Sequence, residues 1–499
     1  MVFEKGSTTM IMQAFRRADQ WTITGESFER LFGDSEAAFY PASKNGLGDM
    51  FLHLAFKAPT GAMRRDRVII AWAIIRRRHP LLMSRVIYDS TLNTPYFSFL
   101  PPASIRNALE EAERVLFFNN KKKDELIFEH MNGARVLSDE HLSHLVISTS
   151  HVTPTAAVDP DYQDYDLLMC APHFLGDGTS LHQATHDLLS LLASPLTDSQ
   201  LTEELYRDAE WAKVLPPAFE TRIEVPTGAL AKIASKVDFI KTLGKEIGGH
   251  TLARRQRGPQ RTVIYETAFS EDETAVILKK CKSHSVTVNH AVVALCNMVW
   301  ARNISNPDNK RHPMMMYTAM NLRPHLSALH PTNTYWFIAL TYFNIVLPAF
   351  LPETQEVFWH RARTVKNQIR NMIQSPFLKA RALEMAKTRV ARSRGENAQM
   401  PTLETSTESS LPPAPSAALL GLSLIGNLDA TYNRSSYPSF HLHSVTTASR
   451  QKAGGLLLLE HTFAKKLWLH LCWDENGFEE GHIEKFWAAL REAVHELLM

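Results

Sequence analysis

The alternation of apolar and polar positions divides the first half of the chain into short strands and amphipathic helices. The pattern predicts strands over 51–59, 81–90 and 166–171 and helices over 67–77, 105–117 and 180–192. The run 166–171, DLLMCA, is almost continuously apolar, which is typical of a strand buried on both faces. The helix after it carries its leucines on one stripe: Leu181, Leu188, Leu189 and Leu192.

The same alternation returns in the second half. It predicts strands over 262–270, 314–322, 338–348 and 467–473, helices over 288–301 and 353–374, and a C-terminal amphipathic helix. Ser270 and Glu273 form a capping-box pattern that starts a further helix. We therefore expect a domain at 1–215, a crossover linker at 216–261 that is proline-containing and basic, and a second domain at 262–499. Residues 395–416, rich in Ser, Thr, Glu and Pro, predict a mobile surface loop.

Composition narrows the class of protein without naming an activity. A chain of 499 residues exceeds what one hydrophobic core supports, which agrees with two α/β domains. The formal net charge of +2 is too small to indicate nucleic acid as the main partner. Four scattered cysteines without a CxxC spacing argue against a disulfide framework or a zinc knuckle. With no signal-like start and no apolar run of membrane-spanning length, we expect a soluble, cytoplasmic protein.

The stretch APHFLGDGTSLHQ, residues 171–183, holds the strongest candidate chemistry. His173 follows a buried strand and begins a tight turn, where a general base meets a cleft. Asp177 either orients the imidazole directly or points away and locks the turn through an ion pair. We favour the locking role, because a direct contact would pull His173 back against its own backbone. The alternative, a buried structural histidine beside an ordinary Gly-Asp-Gly turn, stays open on these residues alone.

Other chemistries have weaker support. His182 and His186 are four residues apart on a helix, with Asp187 beside them, but no HExxH completes a metal set. GLSLIG (421–426) is not a GxSxG elbow, and no GxxxxGK[ST] or GxGxxG loop occurs. We interpret the arginines of 253–261 as a solvated surface stretch, or alternatively as a site for cofactor phosphates: Arg254, Arg255, Arg257 and Arg261. We expect no metal.

His173, Asp177 and Gly178 form the pattern HxxxDG, which four further motifs accompany in register. RRRHPLLMSRV (76–86) resembles the RHExLRTxF motif of peptide-synthetase condensation domains, and AMNLRPHL (319–326) resembles the Asp/Asn-x-Arg-x-Arg strand of plant BAHD acyltransferases. YFNIVLP (342–348) is similar to the FxN motif that follows it, and SLIGNLDA (423–430) to a late Ser/Asn-glycine strand. Together they resemble the CoA-dependent acyltransferase superfamily, and within it fungal secondary-metabolite O-acetyltransferases of the trichothecene 15-O-acetyltransferase type.

This resemblance implies two α/β sandwich domains of the chloramphenicol-acetyltransferase type, with an active-site tunnel between them. It implies that His173 is the general base, that Asp177 pairs with Arg323, and that Gly178 leaves room for the acyl group. It also suggests further residues that line the cleft or donate to the oxyanion, or else satisfy backbone groups: Asn344, Ser423 and Asn427. Arg78, His79 and Arg85 would support a helix–strand junction.

Two departures direct the interpretation within the superfamily. Pro172 stands where condensation domains carry a second histidine, and the DFGWG motif of BAHD enzymes is absent. We therefore expect an O-acyltransferase that moves an acyl group, acetyl above all, from acyl-CoA to a hydroxyl of a hydrophobic terpenoid or polyketide. The alternatives are a condensation-like enzyme with a carrier-bound donor, or a non-acylating member that binds or cyclises such a metabolite. We expect a monomer without nucleic-acid or membrane partners.

Overall fold

The first half of the chain builds two sheets and the helices that cover them. The structure, a computed structural model, describes residues 17–91, 93–149, 161–206, 210–244, 246, 250–304, 310–327, 333–350, 354–395 and 418–499. The elements of the first half are β1 (Thr22–Thr24), β2 (Ser27–Leu31), α1 (Asp34–Ser43), β3 (Asp49–Pro59), α2 (Arg65–Arg78), β4 (Arg85–Asp89), β5 (Thr94–Phe99), α3 (Ile105–Arg114), β6 (Leu116–Asn119), α4 (Lys123–Asn132), β7 (His144–Thr149), β8 (Tyr162–Pro172), α5 (Gly178–Leu192), α6 (Asp198–Tyr206) and α7 (Trp211–Val214).

The rest of the chain adds one helix in the crossover and a second α/β layer. These elements are α8 (Ala229–Leu243), β9 (Thr262–Ala268), α9 (Glu271–Ser283), α10 (Val288–Arg302), β10 (Met314–Asn321), β11 (Leu340–Leu347), α11 (Gln355–Ile373), α12 (Leu378–Ser393), β12 (Gly421–Asn427), β13 (His441–Ser449), β14 (Leu456–Phe463), β15 (Lys466–Asp474) and α13 (His482–Leu498). The predicted capping box is present, because the Ser270 hydroxyl accepts from the Glu273 amide and the Glu273 carboxylate accepts from the Ser270 amide.

Three sheets are formed within the described residues. A four-stranded sheet has the order β1-β2-β5-β4, a five-stranded sheet the order β13-β3-β8-β7-β6, and a six-stranded sheet the order β11-β10-β12-β14-β15-β9. β13, which follows the predicted second domain's first strands, joins the sheet of the first half. It pairs antiparallel with β3, with Thr446 opposite His53 and Ser449 opposite Met50. Sheet membership therefore does not follow chain order, while the predicted domain boundaries themselves stay predictions.

Several predicted elements differ from the structure at their ends. The predicted strand 81–90 begins only at Arg85, because Pro80–Met83 form a 3-10 turn started by a proline. The predicted helix 105–117 ends at Arg114, because Leu116 already belongs to β6, where it pairs with Leu145 of β7. The crossover 216–261 contains the helix α8. The predicted loop 395–416 lies outside the described residues apart from its first position.

The described residues form two large hydrophobic cores, one mainly in each half of the chain. A smaller cluster combines residues of both halves. Even-numbered residues of β3 such as Leu52 and Leu54 pack in the first core with α2 and α5. In β14, Leu458 packs in the second core with α10 and α13. The opposite face of β14 places Leu459 in the third cluster, which also contains Phe51 of β3. Because side chains alternate along a strand, one face of the six-stranded sheet is turned toward the first half.

Candidate active site

His173 lies directly after the central, buried strand β8. β8 runs between β3 and β7, and its residues from Tyr165 to Pro172 are all buried, so the strand delivers the histidine at a fixed position. The imidazole Nδ1 lies 3.0 Å from the carbonyl oxygen of Gly176. A carbonyl only accepts, so Nδ1 carries the proton and Nε2 keeps a free lone pair. This is the tautomer that a general base requires.

The surroundings keep the His173 imidazole neutral. Its ring stacks on Phe39 of α1, with centroids 4.5 Å apart and planes 19° apart. Burial lowers the pKa of His173, and the positive charge of Arg389 adds to this, although the nearby Asp177 charge and the Gly176 carbonyl act in the opposite direction. At neutral pH the side chain is therefore in its basic, uncharged form.

Both carboxylate oxygens of Asp177 accept hydrogen bonds from groups other than the imidazole. As the N-cap of α5, its Oδ1 accepts a hydrogen bond from the Ser180 amide at 3.3 Å. Its Oδ2 accepts from Arg323 Nη1 at 2.8 Å and from the Ala339 amide at 3.1 Å. Oδ1 thus caps α5, while Oδ2 holds the turn after His173 against the second half of the chain. The side chain is buried, so these contacts are shielded from water.

Arg323 completes this connection. It begins a short 3-10 turn directly after β10, and its Nη2 donates to Ser180 Oγ at 3.0 Å. The same nitrogen donates to the carbonyl oxygens of Tyr335 at 3.1 Å and Phe337 at 2.6 Å. The guanidinium fork therefore joins the start of α5 to the segment 335–339, a geometry that a lysine does not reproduce.

The two glycines of the turn have different surroundings. A Cβ built on Gly176 would lie 3.1 Å from Ser180 Oγ and 3.2 Å from Trp336 Nε1, so close packing favours glycine there. A Cβ on Gly178 would meet no atom within 4 Å. No described protein atom therefore requires a glycine at position 178, and the space beside it is open.

Two of the three predicted cleft residues share the face that is turned toward the first half. Asn344 is paired with Tyr317, which in turn lies opposite Gly421. Ser423 follows Gly421 by two positions and lies opposite Leu459, which belongs to the same hydrophobic cluster as Phe51 of the first half. By strand alternation Asn344 and Ser423 therefore lie on this face of the sheet.

The third, Asn427, has a local backbone role. It ends β12 and is exposed, and its Oδ1 accepts a hydrogen bond from the Asp429 amide at 3.0 Å. This bond starts the 3-10 turn Leu428–Ala430. Of the two roles expected from the sequence, Asn427 fulfils that of satisfying a backbone group.

The basic stretch 253–261 is partly buried, so its interpretation as a solvated surface stretch is wrong for Arg254. Arg254 is buried and donates to the Gly454 carbonyl at 2.7 Å, with its guanidinium over the Phe478 ring. Arg257 donates to the carbonyl oxygens of Phe478 at 2.9 Å and Glu475 at 2.6 Å. Arg255 is exposed. The short loops around 454 and 475–478 thus occupy Arg254 and Arg257, a contact between segments distant in sequence that no local pattern indicates.

The helix–strand junction of RRRHPLLMSRV is held by side-chain contacts. Arg78 pairs with Glu204 at 2.6 and 2.8 Å, and Arg85 with Glu140 at 3.2 Å. His79 Nδ1 lies 2.7 Å from Thr334 Oγ1, next to the segment that Arg323 holds. The motif therefore supports its own helix–strand junction, and His79 links this junction to the segment at Thr334.

The histidines considered for a metal contact phenols instead. His182 Nδ1 lies 3.0 Å from the Tyr432 hydroxyl, and His186 Nδ1 lies 3.1 Å from the Tyr437 hydroxyl. Asp187 accepts a hydrogen bond from the Tyr335 hydroxyl at 2.6 Å. Across the described ranges, no three His, Cys, Asp or Glu side chains are grouped so as to hold a metal ion. Within the same ranges, no helix combines the length and the apolar character needed to cross a membrane.

Sequence reasoning missed the aromatic and cationic wall beside His173. The Arg389 guanidinium lies over the rings of Phe39 at 4.6 Å and Tyr342 at 4.1 Å. These three side chains line a small cavity of about 10 Å³ together with residues of α1, β11 and α12. No motif marks Phe39 or Arg389, since only the folded arrangement of α1 and α12 brings them to the histidine.

Comparison with solved structures found the same fold over nearly the full chain. The TRI3 trichothecene 15-O-acetyltransferase from Fusarium sporotrichioides matches with a TM-score of 0.78 at 14% identity, covering 97% of this chain and 99% of that one. The condensation domain of the Monacolin K polyketide synthase MokA gives 0.63 at 12% identity, covering 96% and 98%. The EpoB cyclization-docking bidomain from Sorangium cellulosum gives 0.59 at 12% identity, covering 98% and 89%.

Comparison of the sequence itself identified no related protein. No protein-family model and no curated protein matches the chain. At identities of 12–14%, the structural matches establish the fold. The chain therefore has the two-domain fold of the chloramphenicol-acetyltransferase type, as the resemblance implied, and that prediction is confirmed.

Proposed function

We propose that this protein is an acyltransferase that moves an acyl group, acetyl above all, from acyl-CoA to a hydroxyl of a hydrophobic metabolite. The observation that carries the proposal is the hydrogen bond from His173 Nδ1 to the Gly176 carbonyl, which leaves Nε2 free to accept a proton. The fold shared with a trichothecene 15-O-acetyltransferase supports the same chemistry.

In this mechanism the chain's own residues move one proton twice. Nε2 of His173 accepts the hydroxyl proton as the acceptor oxygen forms a bond to the thioester carbonyl carbon. The resulting tetrahedral oxyanion collapses, the carbon–sulfur bond breaks, and the imidazolium returns the proton to the leaving thiolate. Asn344 and Ser423 are candidate donors to the oxyanion, because both lie on the sheet face turned toward the first half.

Asp177 and Arg323 act on this step through position. The ion pair fixes the turn that provides the Gly176 carbonyl, and this carbonyl holds the imidazole. Gly178 leaves an open space that an acyl group can use, and an active-site tunnel would lie between the two halves. Holding both substrates in line contributes as much to the rate as the base itself does.

A carrier-bound acyl donor is the second candidate, since condensation domains share the fold. Pro172, in the position before His173, favours the free acyl-CoA donor. The test incubates the purified protein with acetyl-CoA and longer acyl-CoAs and an extract of small hydrophobic alcohols, and measures free thiol and product mass. Thiol release with an acyl mass gain supports the proposal. Product formed only with an acylated carrier protein favours the second candidate, and product without a mass gain overturns acyl transfer.

A further inference from the structure

Helix α8 in the crossover carries an apolar stripe on its outer side. Leu230, Ile233, Val237 and Ile240 are spaced by three, four and three residues, so they share one face of the helix. Their exposed fractions are 84%, 60%, 46% and 56%. Four neighbouring aliphatic side chains in water, over three turns of one helix, differ from the scattered exposed residues that are normal on a protein surface.

The stripe is not the face by which α8 docks on the protein. Phe239 is the buried residue of the helix, and it lies on the opposite side of the helical wheel from the stripe. Asp238 forms an ion pair with Arg381 of α12, with Asp238 Oδ1 accepting from Nη2 at 2.7 Å. The helix is thus held in place by one face, and its most apolar residues project outward.

Lysines flank the stripe on both sides. At 100° per residue, Lys236 borders the stripe on one side and Lys241 on the other, while Lys232 lies farther round the helix, toward Phe239. All three are exposed, and none forms an ion pair with a described residue. Asp238 is the single acidic residue of α8, and Arg381 already neutralises it. The outer half of the helix is therefore apolar along its middle and cationic along both edges.

We propose that α8 docks this protein on an anionic lipid surface. An apolar face with lysine at its borders is the pattern of a helix that lies in the membrane interface, with the lysine stems reaching up to the headgroups. A negatively charged leaflet attracts each exposed lysine near its surface. The projecting stripe needs no complementary groove, and it lacks the Trp, Tyr and Arg anchors that mark protein–protein hot spots.

The expectation of no membrane partner rested on the absence of a membrane-spanning run, which does not bear on a helix lying on the surface. Docking would bring the protein to a phase in which hydrophobic metabolites concentrate. It does not depend on the proposed acyl transfer, because the stripe lies on the crossover helix and contains none of the residues placed around His173.

The test is co-sedimentation of the full chain with vesicles of phosphatidylcholine containing phosphatidylserine, and with vesicles of phosphatidylcholine alone. We expect binding to the anionic vesicles that weakens with added salt. The double variant Ile233→Ser, Val237→Ser should bind at least ~10-fold more weakly. The variant Lys236→Glu, Lys241→Glu should lose roughly 100-fold or more. Two control variants should bind like the original protein: Ile87→Ser with Val136→Ser, and Lys279→Glu with Lys282→Glu, all at exposed positions elsewhere.

Several results would overturn the proposal. These are no binding to anionic vesicles, or binding that the α8 variants share equally with the controls. A dimer in solution that the Ile233→Ser, Val237→Ser variant dissociates would assign the stripe to a second copy of the chain. Thiol release from acyl-CoA in solution, measured on the same variants, reports separately on the proposed chemistry.

Discussion

Arg323 and Asp177, 146 residues apart in the chain, form an ion pair of 2.8 Å that ties the turn after His173 to the second half of the protein. Asp177 is buried and Arg323 is partly buried, and the guanidinium also donates to the Tyr335 and Phe337 carbonyls. Any change that weakens this pair should disturb the turn and the base together.

Asp177→Asn should therefore lower stability and turnover in parallel. The change removes the negative charge and leaves the Arg323 cation buried beside a neutral amide, which costs roughly 3 kcal/mol of unfolding free energy. Denaturant unfolding and thiol-release kinetics on one preparation measure both effects. Glu113→Gln, which breaks an exposed pair with Arg65, is the matched control. A loss of rate at unchanged stability would instead mean that Asp177 orients the imidazole directly.

His173→Ala should lower turnover by at least ~10², because it removes the proton acceptor and leaves the substrate site in place. The melting temperature should stay within a few degrees, since the lost contacts are one carbonyl hydrogen bond and one ring stack. His443→Ala, at an exposed histidine of β13, serves as the control and should keep full activity. Full activity in the His173 variant would contradict the proposed role.

The pH dependence of kcat/KM should report the environment of His173. Because burial lowers its pKa below the ordinary 6.5, the base stays unprotonated, and activity should persist below that pH before it falls. Arg389→Gln removes a positive charge from the neighbourhood and should move the acidic limb of the profile upward. Arg389→Lys keeps the charge and should move it less. An acidic limb above pH 6.5 in the original protein would contradict this assignment.

The substitution Gly178→Ala tests whether the open space beside Gly178 is used by the substrate. The new Cβ meets no described atom within 4 Å, and alanine favours the start of α5 by about 0.5 kcal/mol, so stability should not fall. If the acyl group uses this space, kcat/KM should fall ~10-fold. Gly228→Ala, equally unhindered and located before α8, should leave activity unchanged.

Gly176→Ala should lower the melting temperature, because its Cβ is crowded by Trp336.

The buried carboxyl group of Glu460 should make the free energy of unfolding depend on pH. It is fully buried on β14, its carboxylate oxygens have no hydrogen-bond partner in the described part of the chain, and burial raises its pKa to about 8. The folded protein thus holds a proton that the unfolded chain releases near pH 4.5, so stability falls as pH rises from about 4.5 to 8. Glu460→Gln should raise the melting temperature at pH 8 by several degrees and change it little at pH 4.5. The exposed Glu492→Gln should show no such difference, and equal behaviour of the two variants would contradict the prediction.

The sequence predicted those features that depend on neighbouring residues, and not those that depend on contacts between residues distant in the chain. The buried strand before His173 and the helix after Asp177 follow from local patterning, and both are present as β8 and α5. The contact between Asp177 and Arg323 came from the resemblance, because nothing within the turn specifies a partner 146 residues away. Phe39 and Arg389 carry no local signal and reach His173 only through the packing of their helices.

The crossover segment 216–261 is a second region that the sequence did not predict correctly. Prolines around 216–226 and the basic run after 253 indicated an irregular linker, yet α8 forms between them. Its apolar residues point outward, so the usual assumption that periodic apolar positions mark the core fails there. The sequence pattern gives the periodicity of such a face and does not tell whether a core or another partner covers it.

The insertion of β13 into the first sheet has a consequence for biosynthesis. β3 is eleven residues long, and one of its edges is completed only by a strand that ends at Ser449. A ribosome-bound chain that has emerged only through the first half therefore carries β3 as an open sheet edge, and so would a fragment ending near residue 215. Such an edge pairs readily with other chains, so the isolated first half should aggregate, and completion of the sheet should wait until β13 has been made.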